Sequence, residues 1–404
     1  MTHQPDTQVP FNLLPHRMHL QPRGVLHRRP VVEPRHDGVR LFHQTVGHAL
    51  LFVVAGSGIW HSVGVRTPHE FVCERLRRLL VPLLLGSVLL VPPQIYFAMR
   101  AKAQDPGSYW QFLGWYFDDV RLDRTVLWSI HGSDPDPAFE MAHLWFLHDL
   151  LLYSILLIPV FAYLRRPSGR RLVEWLAVRG QRPWALFTLA LPVVALEVML
   201  GNRSAFVLYL LWGFLIAGDG RLGETLRKHF RQALIIGVVV FPVLFVIAHY
   251  DIGGPATTLG HAWDFWSVIW RLLKAMAGRA WTIVAFALAS SWTRRVQRPR
   301  PSSSVPRIQS GTGGHVESHA RRYVNEAVLP LYVLHQTPIV IIGFYVVQWN
   351  VGIPVRYLTI SLVSHAVTLL VYDLCIRRYN ITRVMLGMKW LKPEAVLLRG
   401  SFGE

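Results

Sequence analysis

The feature that most constrains this chain is a series of apolar stretches, each about twenty residues long, separated by short polar segments. A stretch of that length can cross the hydrocarbon of a bilayer as a helix. Of the 404 residues, 52% are hydrophobic and only 16% are charged, which is unusual for a soluble domain. The sequence therefore predicts an all-α, polytopic integral membrane bundle of about nine transmembrane helices. The predicted spans are Thr45–Val63, Leu79–Phe97, His143–Leu164, Trp184–Leu200, Ala205–Ala217, Ala233–His249, Trp266–Trp292, Glu326–Trp349 and Arg356–Cys375.

The formal net charge of +18 is distributed in clusters of arginine between the apolar stretches. This distribution follows the positive-inside rule, and no basic patch with stacking aromatics stands apart from the spans, so no nucleic-acid partner is expected. The acidic, aromatic loop Arg100–Ala142 is predicted to lie outside, and the C-terminus in the cytoplasm, of a multi-pass protein of the inner (plasma) membrane. The two cysteines, Cys73 and Cys375, form no metal-binding pattern, and neither a metal site nor a bound cofactor is expected.

The segments outside the spans divide the chain further. Residues 1–44 are rich in Pro, His and Arg without sustained periodicity, which predicts a disordered basic N-terminal segment. Residues 45–378 are the predicted transmembrane domain, with a flexible cytoplasmic loop at 293–323, and residues 379–404 are a predicted cytoplasmic tail. An odd number of spans with a cytoplasmic C-terminus would place the basic segment 1–44 outside, against the charge rule.

Three blocks of the sequence resemble one family in their order and spacing. The block His143-Leu144-Trp145-Phe146-Leu147, followed by Tyr153, resembles the HLWFL signature of membrane acyltransferases of family 3. Residues 325–337, NEAVLPLYVLHQT, are similar to a helix of the glucan biosynthesis protein C branch, and residues 75–96 are a third match. The resemblance covers roughly residues 49–389. It implies a membrane O-acyltransferase that moves an acyl group, succinyl in that branch, from a cytoplasmic acyl-CoA to hydroxyls of a periplasmic or envelope glycan.

The resemblance also implies a first helix that starts from the cytoplasm and carries an Arg-and-His motif, with the histidine as the usual catalytic base. Upstream of residue 49 no apolar stretch can hold this helix, so the role is assigned to no residue. Arginine and histidine are present in that region, at His36, Arg40, His43 and His48, but on no recognisable spanning helix. One hypothesis is that residues 1–44 and 297–320 are out-of-frame sequence, because they share an Arg, Pro, Ser and His bias. A truncated, inactive homologue is the corresponding functional alternative.

His335 is the strongest catalytic candidate in the sequence. It lies nine positions after Glu326, about 13 Å along a helix, well inside the hydrocarbon, where a lone histidine needs a partner. A histidine can take the proton of an attacking hydroxyl near neutral pH. Tyr332 and Gln336, which flank it one helical turn apart, are candidate substrate-binding residues. The alternative is a structural histidine hydrogen-bonded between helices.

His143 and Asp149 are the next catalytic candidates, at the start of an apolar helix where ionisable groups are costly unless paired or hydrated. Six residues apart, they lie near opposite helix faces, so Asp149 would pair with a histidine from another helix. Trp145 shares the face of Asp149 and is a candidate for substrate contact. The alternatives are interfacial anchoring by Trp145 and hydration of His148 and Asp149. The proposed partners of Asp149 are His48, His335 and His365.

Four arginines are candidates for binding anionic groups. Arg75, Arg77 and Arg78 lie at an inner helix end, where the phosphates of an acyl-CoA donor would arrive, and the guanidinium fork binds phosphate well. Arg279 lies among apolar residues of a span and would contact the free carboxylate of a dicarboxylic acyl group such as succinyl. The alternatives are topology determination for the first three arginines and snorkelling to the interface for Arg279.

The predicted function is that of an integral membrane acyltransferase, with a cavity lined by the two histidines, Asp149 and Arg279. Its expected partners are the lipid bilayer, acyl-CoA as donor substrate and a glycan acceptor. The main rival is a transporter or flippase, in which intramembrane charges such as Arg279 and Glu197 mark a substrate pathway. Glu197 is otherwise expected to pair with Arg203 at an outer helix end.

Overall fold

The computed structural model describes residues 46–118, 142–182, 190–200, 203–250, 252, 265–297 and 312–391, and within these ranges the chain is helical without strands. The first half contains α1 His48–Val63, α2 Pro68–Arg75, α3 Val81–Leu89, α4 Val91–Ala101, α5 Tyr109–Asp118, α6 Trp145–Leu156, α7 Ile158–Arg165, α8 Pro167–Gly180 and α9 Ala190–Leu200. The second half contains α10 Phe206–Gly218, α11 Gly220–Lys228, α12 Phe230–His249, α13 Phe265–Gln297, α14 Thr312–Leu334, α15 Gln336–Val346, α16 Ile353–Val371 and α17 Asn380–Met385. Single-turn segments connect some of these: π-helical at Leu76–Leu80 and Tyr372–Ile376, and 3₁₀ at Ala142–Leu144.

The described helices include four to seven candidate membrane spans. Four are continuous: Pro68–Ala101, Phe230–His249, Phe265–Ser291 and Ile353–Ile376. Three more are bent pairs, formed by α6 with α7, α10 with α11, and α14 with α15. Two shorter apolar helices, α1 and the segment Leu191–Leu200, accompany them. The all-α membrane architecture is confirmed, whereas the count of nine stays a prediction because it requires both short helices to cross the bilayer.

Two of the bends are located by proline. The α6–α7 pair bends by 53° at Leu157, two residues before Pro159, and the α14–α15 pair bends by 51° at His335, three residues before Pro338. A proline has no N–H to donate and its ring crowds the preceding turn, which favours a bend or break in the helix just before it. His335 therefore lies at an interruption in the middle of a span, where backbone carbonyls accept bonds from side chains.

Helices α1 and α10 pack with their backbones in close contact at two glycines. A Cβ atom on Gly56 would lie 2.0 Å from the carbonyl oxygen of Leu210, and one on Gly213 would lie 1.9 Å from the carbonyl oxygen of Val53. Gly58, two residues after Gly56, faces open space. Small residues that let helices approach this closely are typical of membrane bundles. Within the Gly-Ser-Gly sequence of α1, the close approach to α10 is therefore made at Gly56.

A buried hydrogen-bond clamp joins α4 to α15. Gln94 Nε2 donates to the carbonyl oxygen of Leu90 at 2.8 Å and to Thr337 Oγ1 at 2.9 Å. The Thr337 hydroxyl in turn donates to the same Leu90 carbonyl at 3.0 Å. Because Thr337 lies two residues after His335, the clamp fixes the chain immediately beyond the bend.

Thr337→Val removes the hydroxyl of this clamp with little change in side-chain volume. We expect it to lower the free energy of unfolding by about 1–3 kcal/mol, because the buried Gln94 amide loses one of its two acceptors and the Leu90 carbonyl loses a donor. The measurement is the thermal unfolding temperature in detergent. With Gln94→Leu in addition, the loss should be smaller than the sum of the two single losses, because the partners act together. A strictly additive loss, or an unchanged transition for Thr337→Val, would contradict the clamp.

Several segments predicted to be loops contain helices. Helix α5 lies in the loop Arg100–Ala142, and the basic loops after α7 and after α10 hold α8 and α11. These helices mix polar and apolar residues, so a search for uniformly apolar stretches misses them. The predicted linker 293–323 is helical at residues 293–297 and 312–323, and the predicted tail begins with α17. The predictions for residues 1–44, 298–311 and 392–404 lie outside the described residues.

Candidate active site

His143 and His335 come from two separate spans and meet inside the bundle. Their ring centroids are 5.4 Å apart, and the two ring planes are nearly perpendicular, at 87°. The ring of Tyr332 lies 5.9 Å from that of His143 and 5.8 Å from that of His335, and its hydroxyl donates to the His143 carbonyl. Three of the predicted site residues thus form one cluster, which is called the histidine cluster below.

Backbone carbonyls of α14 determine which nitrogen of each imidazole carries the proton. His143 Nε2 lies 3.0 Å from the carbonyl oxygen of Val333, and His335 Nδ1 lies 2.7 Å from that of Tyr332. A carbonyl oxygen only accepts, so each of these nitrogens donates an N–H. The lone pair of each neutral ring is consequently on the other nitrogen, Nδ1 of His143 and Nε2 of His335. His143 Nδ1 is buried and has no hydrogen-bond partner in the described part of the chain. Both rings are held in the form that can take a proton.

Asp149 pairs with its sequence neighbour rather than with a histidine from another helix. Asp149 Oδ1 lies 2.9 Å from His148 Nδ1, and the two residues are only 1% and 8% exposed. The alternative of a hydrated pair at the interface is therefore wrong for both residues. A carboxylate buried this deeply requires a partner of this kind, because an unpaired charge inside a bundle is very costly.

The three histidines proposed as partners of Asp149 lie elsewhere. His335 belongs to the histidine cluster, and the ring of His48 packs edge-on against Trp145. His365 is exposed on α16, with its Nδ1 2.7 Å from the Ser361 carbonyl oxygen. Among the described residues, the Asp149 carboxylate forms no hydrogen bond with His143 or His335.

Trp145 lies in the first turn of α6 among aromatic and cationic neighbours. Its ring centroid is 4.7 Å from that of His48 and 5.6 Å from that of Phe206 of α10. The guanidinium carbon of Arg203 lies 5.2 Å from the Trp145 ring centroid, and Tyr153, two turns further along α6, donates to the Arg203 carbonyl at 3.1 Å. Cation–π contact of this kind adds to the burial of the ring. The half-buried ring of Trp145 packs inside the bundle and leaves one part accessible.

Arg279 is buried and stacks on an aromatic ring. The residue is 2% exposed, and its guanidinium carbon lies 3.7 Å from the ring centroid of Trp212 of α10. The alternative in which Arg279 snorkels to the interface is therefore wrong. Among the described residues, neither His143 nor Tyr332 forms a hydrogen bond or ring contact with Arg279. The single cavity expected to contain both Arg279 and the histidines stays a prediction.

Glu197 has a different partner from the one predicted. Its carboxylate lies 3.2 Å from Lys274 Nζ of α13, and its side chain is 6% exposed. The expected pairing with Arg203 is wrong, because the lysine of a facing span neutralises the carboxylate inside the bundle.

A cavity of about 1360 Å³ lies between α2, the following π turn, α14 and the segment after α17. It contains two of the three arginines predicted to bind a donor, Arg77 and Arg78. Arg75 does not line it: this residue is buried, and its guanidinium lies 4.8 Å from the Phe71 ring centroid. The basic lining residues are Arg66, Arg77, Arg78, Arg322, Arg383 and Lys389, and the acidic ones are Glu70, Glu74 and Glu326.

Positive charge predominates in this cationic cavity even after its ion pairs are counted. The ion pairs are Arg78–Glu74 at 3.6 Å, Arg322–Glu326 at 3.1 Å and Arg383–Glu326 at 3.3 Å. The remaining carboxylate, on Glu70, caps α2 by accepting from the Thr67 backbone N–H at 2.9 Å. The cavity cations that have no carboxylate partner among the described residues are Arg66, Arg77 and Lys389. A cleft lined in this way concentrates anions.

Helix α14 connects the cationic cavity with the histidine cluster. Glu326 lines the cavity, and His335 lies nine residues further along the same span, a distance of about 13 Å. The same span therefore runs from the cationic cavity to the histidine cluster.

The sequence analysis missed several polar residues that position these groups. Nothing in the sequence singled out the buried Gln94 and Thr337, or the pairing of His148 with Asp149. Gln336, predicted to bind substrate, is half-buried and makes no side-chain hydrogen bond within the described ranges. No group of three or more His, Cys, Asp or Glu side chains that could hold a metal ion occurs there either.

These features define a class: a multi-pass, all-helical membrane protein with a half-buried histidine cluster and a cationic cavity that share one span. The chain matches the model of a family described as an acyltransferase domain over residues 28–373. It therefore belongs to this acyltransferase family, as the resemblance implied. No curated protein and no solved structure matches the chain.

The limits of the family match differ from those of the resemblance seen in the sequence. The match begins at residue 28, upstream of the expected start near residue 49, and ends at residue 373, before the expected end near residue 389. Residues 28–45 lie outside the described part of the chain, and the family's first-helix histidine is assigned to no residue. Part of the cationic cavity, at residues 383–389, is built from chain beyond the match.

Proposed function

We propose that this protein is an O-acyltransferase that takes an acyl group from cytoplasmic acyl-CoA and places it on a hydroxyl of a glycan outside the membrane. The observation that carries the proposal is the histidine cluster. Two imidazoles from separate spans lie side by side, each oriented by a backbone carbonyl of α14. Membership of the acyltransferase family supports the reaction type.

The cationic cavity is the proposed donor site. Acyl-CoA carries several phosphates on its nucleotide end, and Arg forks and Lys ammonium groups are the usual phosphate ligands. Arg66 and Arg77 are available for such groups because no described carboxylate neutralises them. The neutral pantetheine arm would then follow α14 toward His335. Residues 383–389 line this cavity, so a cytoplasmic donor site would be consistent with a cytoplasmic C-terminal segment of a plasma-membrane protein.

The proposed chemistry is general-base catalysis of acyl transfer. The lone pair of His335 Nε2 or His143 Nδ1 takes the proton of the acceptor hydroxyl as its oxygen attacks the thioester carbonyl carbon. The C–S bond then breaks, and the imidazolium returns its proton to the departing CoA thiolate. The products are an ester on the glycan and free CoA thiol. Asp149 is not assigned a step, because its carboxylate pairs with His148.

The acceptor is proposed to approach from the opposite face. His143 begins the span that follows the acidic loop 100–142, and Trp145 offers a half-buried ring on which a sugar would stack. Succinyl is our proposal for the acyl group, and it rests on the branch resemblance alone. Its free carboxylate is not assigned to Arg279, since that side chain packs on Trp212.

The decisive test uses purified protein in proteoliposomes with acyl-CoA labelled in the acyl group, comparing succinyl with acetyl donors. We expect labelled ester on the glycan together with an equal amount of free CoA thiol. Label that crosses the membrane without covalent attachment would support the rival transporter, which the interior Glu197–Lys274 pair would otherwise favour. Neither ester nor transport would overturn the proposal.

The chain's two cysteines test the donor site directly. Cys73 lines the cationic cavity, whereas Cys375, also exposed, does not. We expect CoA to protect Cys73 from maleimide in a saturable way and to leave the labelling rate of Cys375 unchanged. The variants Cys375→Ser and Cys73→Ser isolate the two rates. Equal protection of both cysteines, or of neither, would contradict a donor site in this cavity.

A further inference from the structure

The segment after the last span contributes a wall to the cationic cavity. Residues 377–391, called the C-terminal strap, supply Arg383, Gly387, Met388 and Lys389 to the lining. The family match ends at residue 373, so this wall is a feature of the present chain outside the matched domain. The strap therefore lines the cavity from outside the matched residues.

A buried arginine holds the strap in one conformation. Arg383 is 1% exposed, and its guanidinium donates to the carbonyls of Lys389 at 3.1 Å and Arg377 at 3.4 Å. It also donates to the Glu326 carboxylate of α14 at 3.3 Å. The two ends of the strap are joined by Asn380, whose amide donates to the Leu391 carbonyl at 3.2 Å and accepts from the Leu391 N–H at 2.8 Å. These hydrogen bonds restrict the conformations of the strap before any ligand binds. The cavity wall that it forms is therefore preorganised.

The strap also packs directly on the turn that carries Arg77 and Arg78. Gly387 has a φ of +74°, and a Cβ atom there would lie 2.4 Å from the carbonyl oxygen of Arg78. Only glycine combines this backbone conformation with so close an approach. The position of Lys389, two residues later, is thereby fixed relative to the arginines of the opposite wall.

Lys389 supplies the strap with a positive charge at the cavity. The side chain is exposed at the cavity and has no carboxylate partner among the described residues. Arg66, just before α2, and Arg77, in the turn after it, also line the cavity without a carboxylate partner among the described residues. Three cations from three separate segments thus face one space without neutralisation. That arrangement suits a ligand with several phosphate groups better than one with a single charge.

We propose that the C-terminal strap is a specificity element for the nucleotide end of the donor, and that Lys389 contacts one of its phosphates. This inference rests on the proposed function, because it takes the cavity to be the donor site. A merely structural strap would support the fold without distinguishing a donor that carries phosphates from one that does not.

The test compares two donors in the full-length protein. One is acyl-CoA and the other is the same acyl thioester of pantetheine, which has no phosphate. For Lys389→Gln we expect the KM for acyl-CoA to rise roughly tenfold with kcat nearly unchanged, and the KM for the pantetheine thioester to stay the same. Lys389→Arg should restore the acyl-CoA value. Arg378→Gln is the matched control, since Arg378 is an exposed basic residue of the strap that does not line the cavity.

A binding readout separates failure of this inference from failure of the proposed function. Adenosine 3′,5′-diphosphate, which has phosphates but no thioester arm, should protect Cys73 from maleimide, and Lys389→Gln should weaken that protection roughly tenfold. If the protein transferred no acyl group but showed this difference, the strap would still recognise phosphate and only the enzymatic proposal would fail. The role of the strap would be overturned by equal protection of Cys73 in the wild type and in Lys389→Gln, or by no protection in either protein. Equal KM changes for both donors in Lys389→Gln would overturn it as well.

Discussion

Replacing His143 and His335 together by alanine should slow acyl transfer by no more than the worse of the two single replacements, each of which is expected to cost roughly 10²–10⁴-fold in kcat. The reason is that the two rings belong to one cluster, with centroids 5.4 Å apart. Removing either ring disrupts the same proton transfer. The measurement is the initial rate of ester formation at saturating acyl-CoA for the single variants and the double variant.

The control for this prediction is His365→Ala. His365 is exposed on α16 and bonds only to the backbone of its own helix among the described residues, so its removal should leave the rate unchanged. A binding control is also needed, because a misfolded variant would lose activity whatever the role of the histidines. Protection of Cys73 by CoA should survive in both histidine variants. Rates that multiply, with the double variant slower by the product of the two single factors, would show that the rings act independently.

The second large effect is expected at the contact between α1 and α10. Gly56→Ala would place a methyl group 2.0 Å from the Leu210 carbonyl oxygen, which belongs to the backbone and cannot move aside as a side chain can. We expect a loss of about 3 kcal/mol or more in the free energy of unfolding, at or above the upper end of ordinary overpacking. Gly213→Ala should behave in the same way, because its Cβ would lie 1.9 Å from the Val53 carbonyl oxygen.

Gly58→Ala is the internal control for this contact. It makes the same chemical change two residues away on the same helix, where the structure leaves open space. Its unfolding temperature in detergent should equal or slightly exceed that of the wild type, because alanine is the better helix former. A comparable loss of stability in Gly56→Ala and Gly58→Ala would mean that helix propensity or lipid contact, rather than the approach of α10, explains the result.

The helical membrane fold could be predicted from the sequence because the bilayer imposes a length on each apolar stretch. The same rule explains what was missed. Helices such as α8 and α11 mix charged and apolar residues, and no length rule applies to a helix that need not cross the hydrocarbon. The bend at His335 could also have been predicted, since Pro338 follows three residues later.

Candidate site residues could be predicted where burying that residue type inside a membrane span costs free energy. A histidine in the middle of a span needs a partner, so His335 stood out, and the structure places His143 and Tyr332 beside it. Which charge meets which partner could not be predicted, because pairing depends on helix rotation and not on spacing along the chain. For this reason Asp149 was assigned to a distant histidine, although it pairs with His148, and Glu197 was assigned to Arg203, although it pairs with Lys274.

The central claim is that a donor bound in the cationic cavity reaches, through the span containing His335, an acceptor that arrives from the other side. The most direct measurement is acyl transfer in sealed vesicles with the protein in a single orientation, established by maleimide labelling of Cys73 from one side only. We expect esterified glycan when acyl-CoA is on the side from which Cys73 is labelled and the glycan is on the opposite side. Ester formation only when donor and acceptor share one side, or only when acyl-CoA is opposite Cys73, would contradict it.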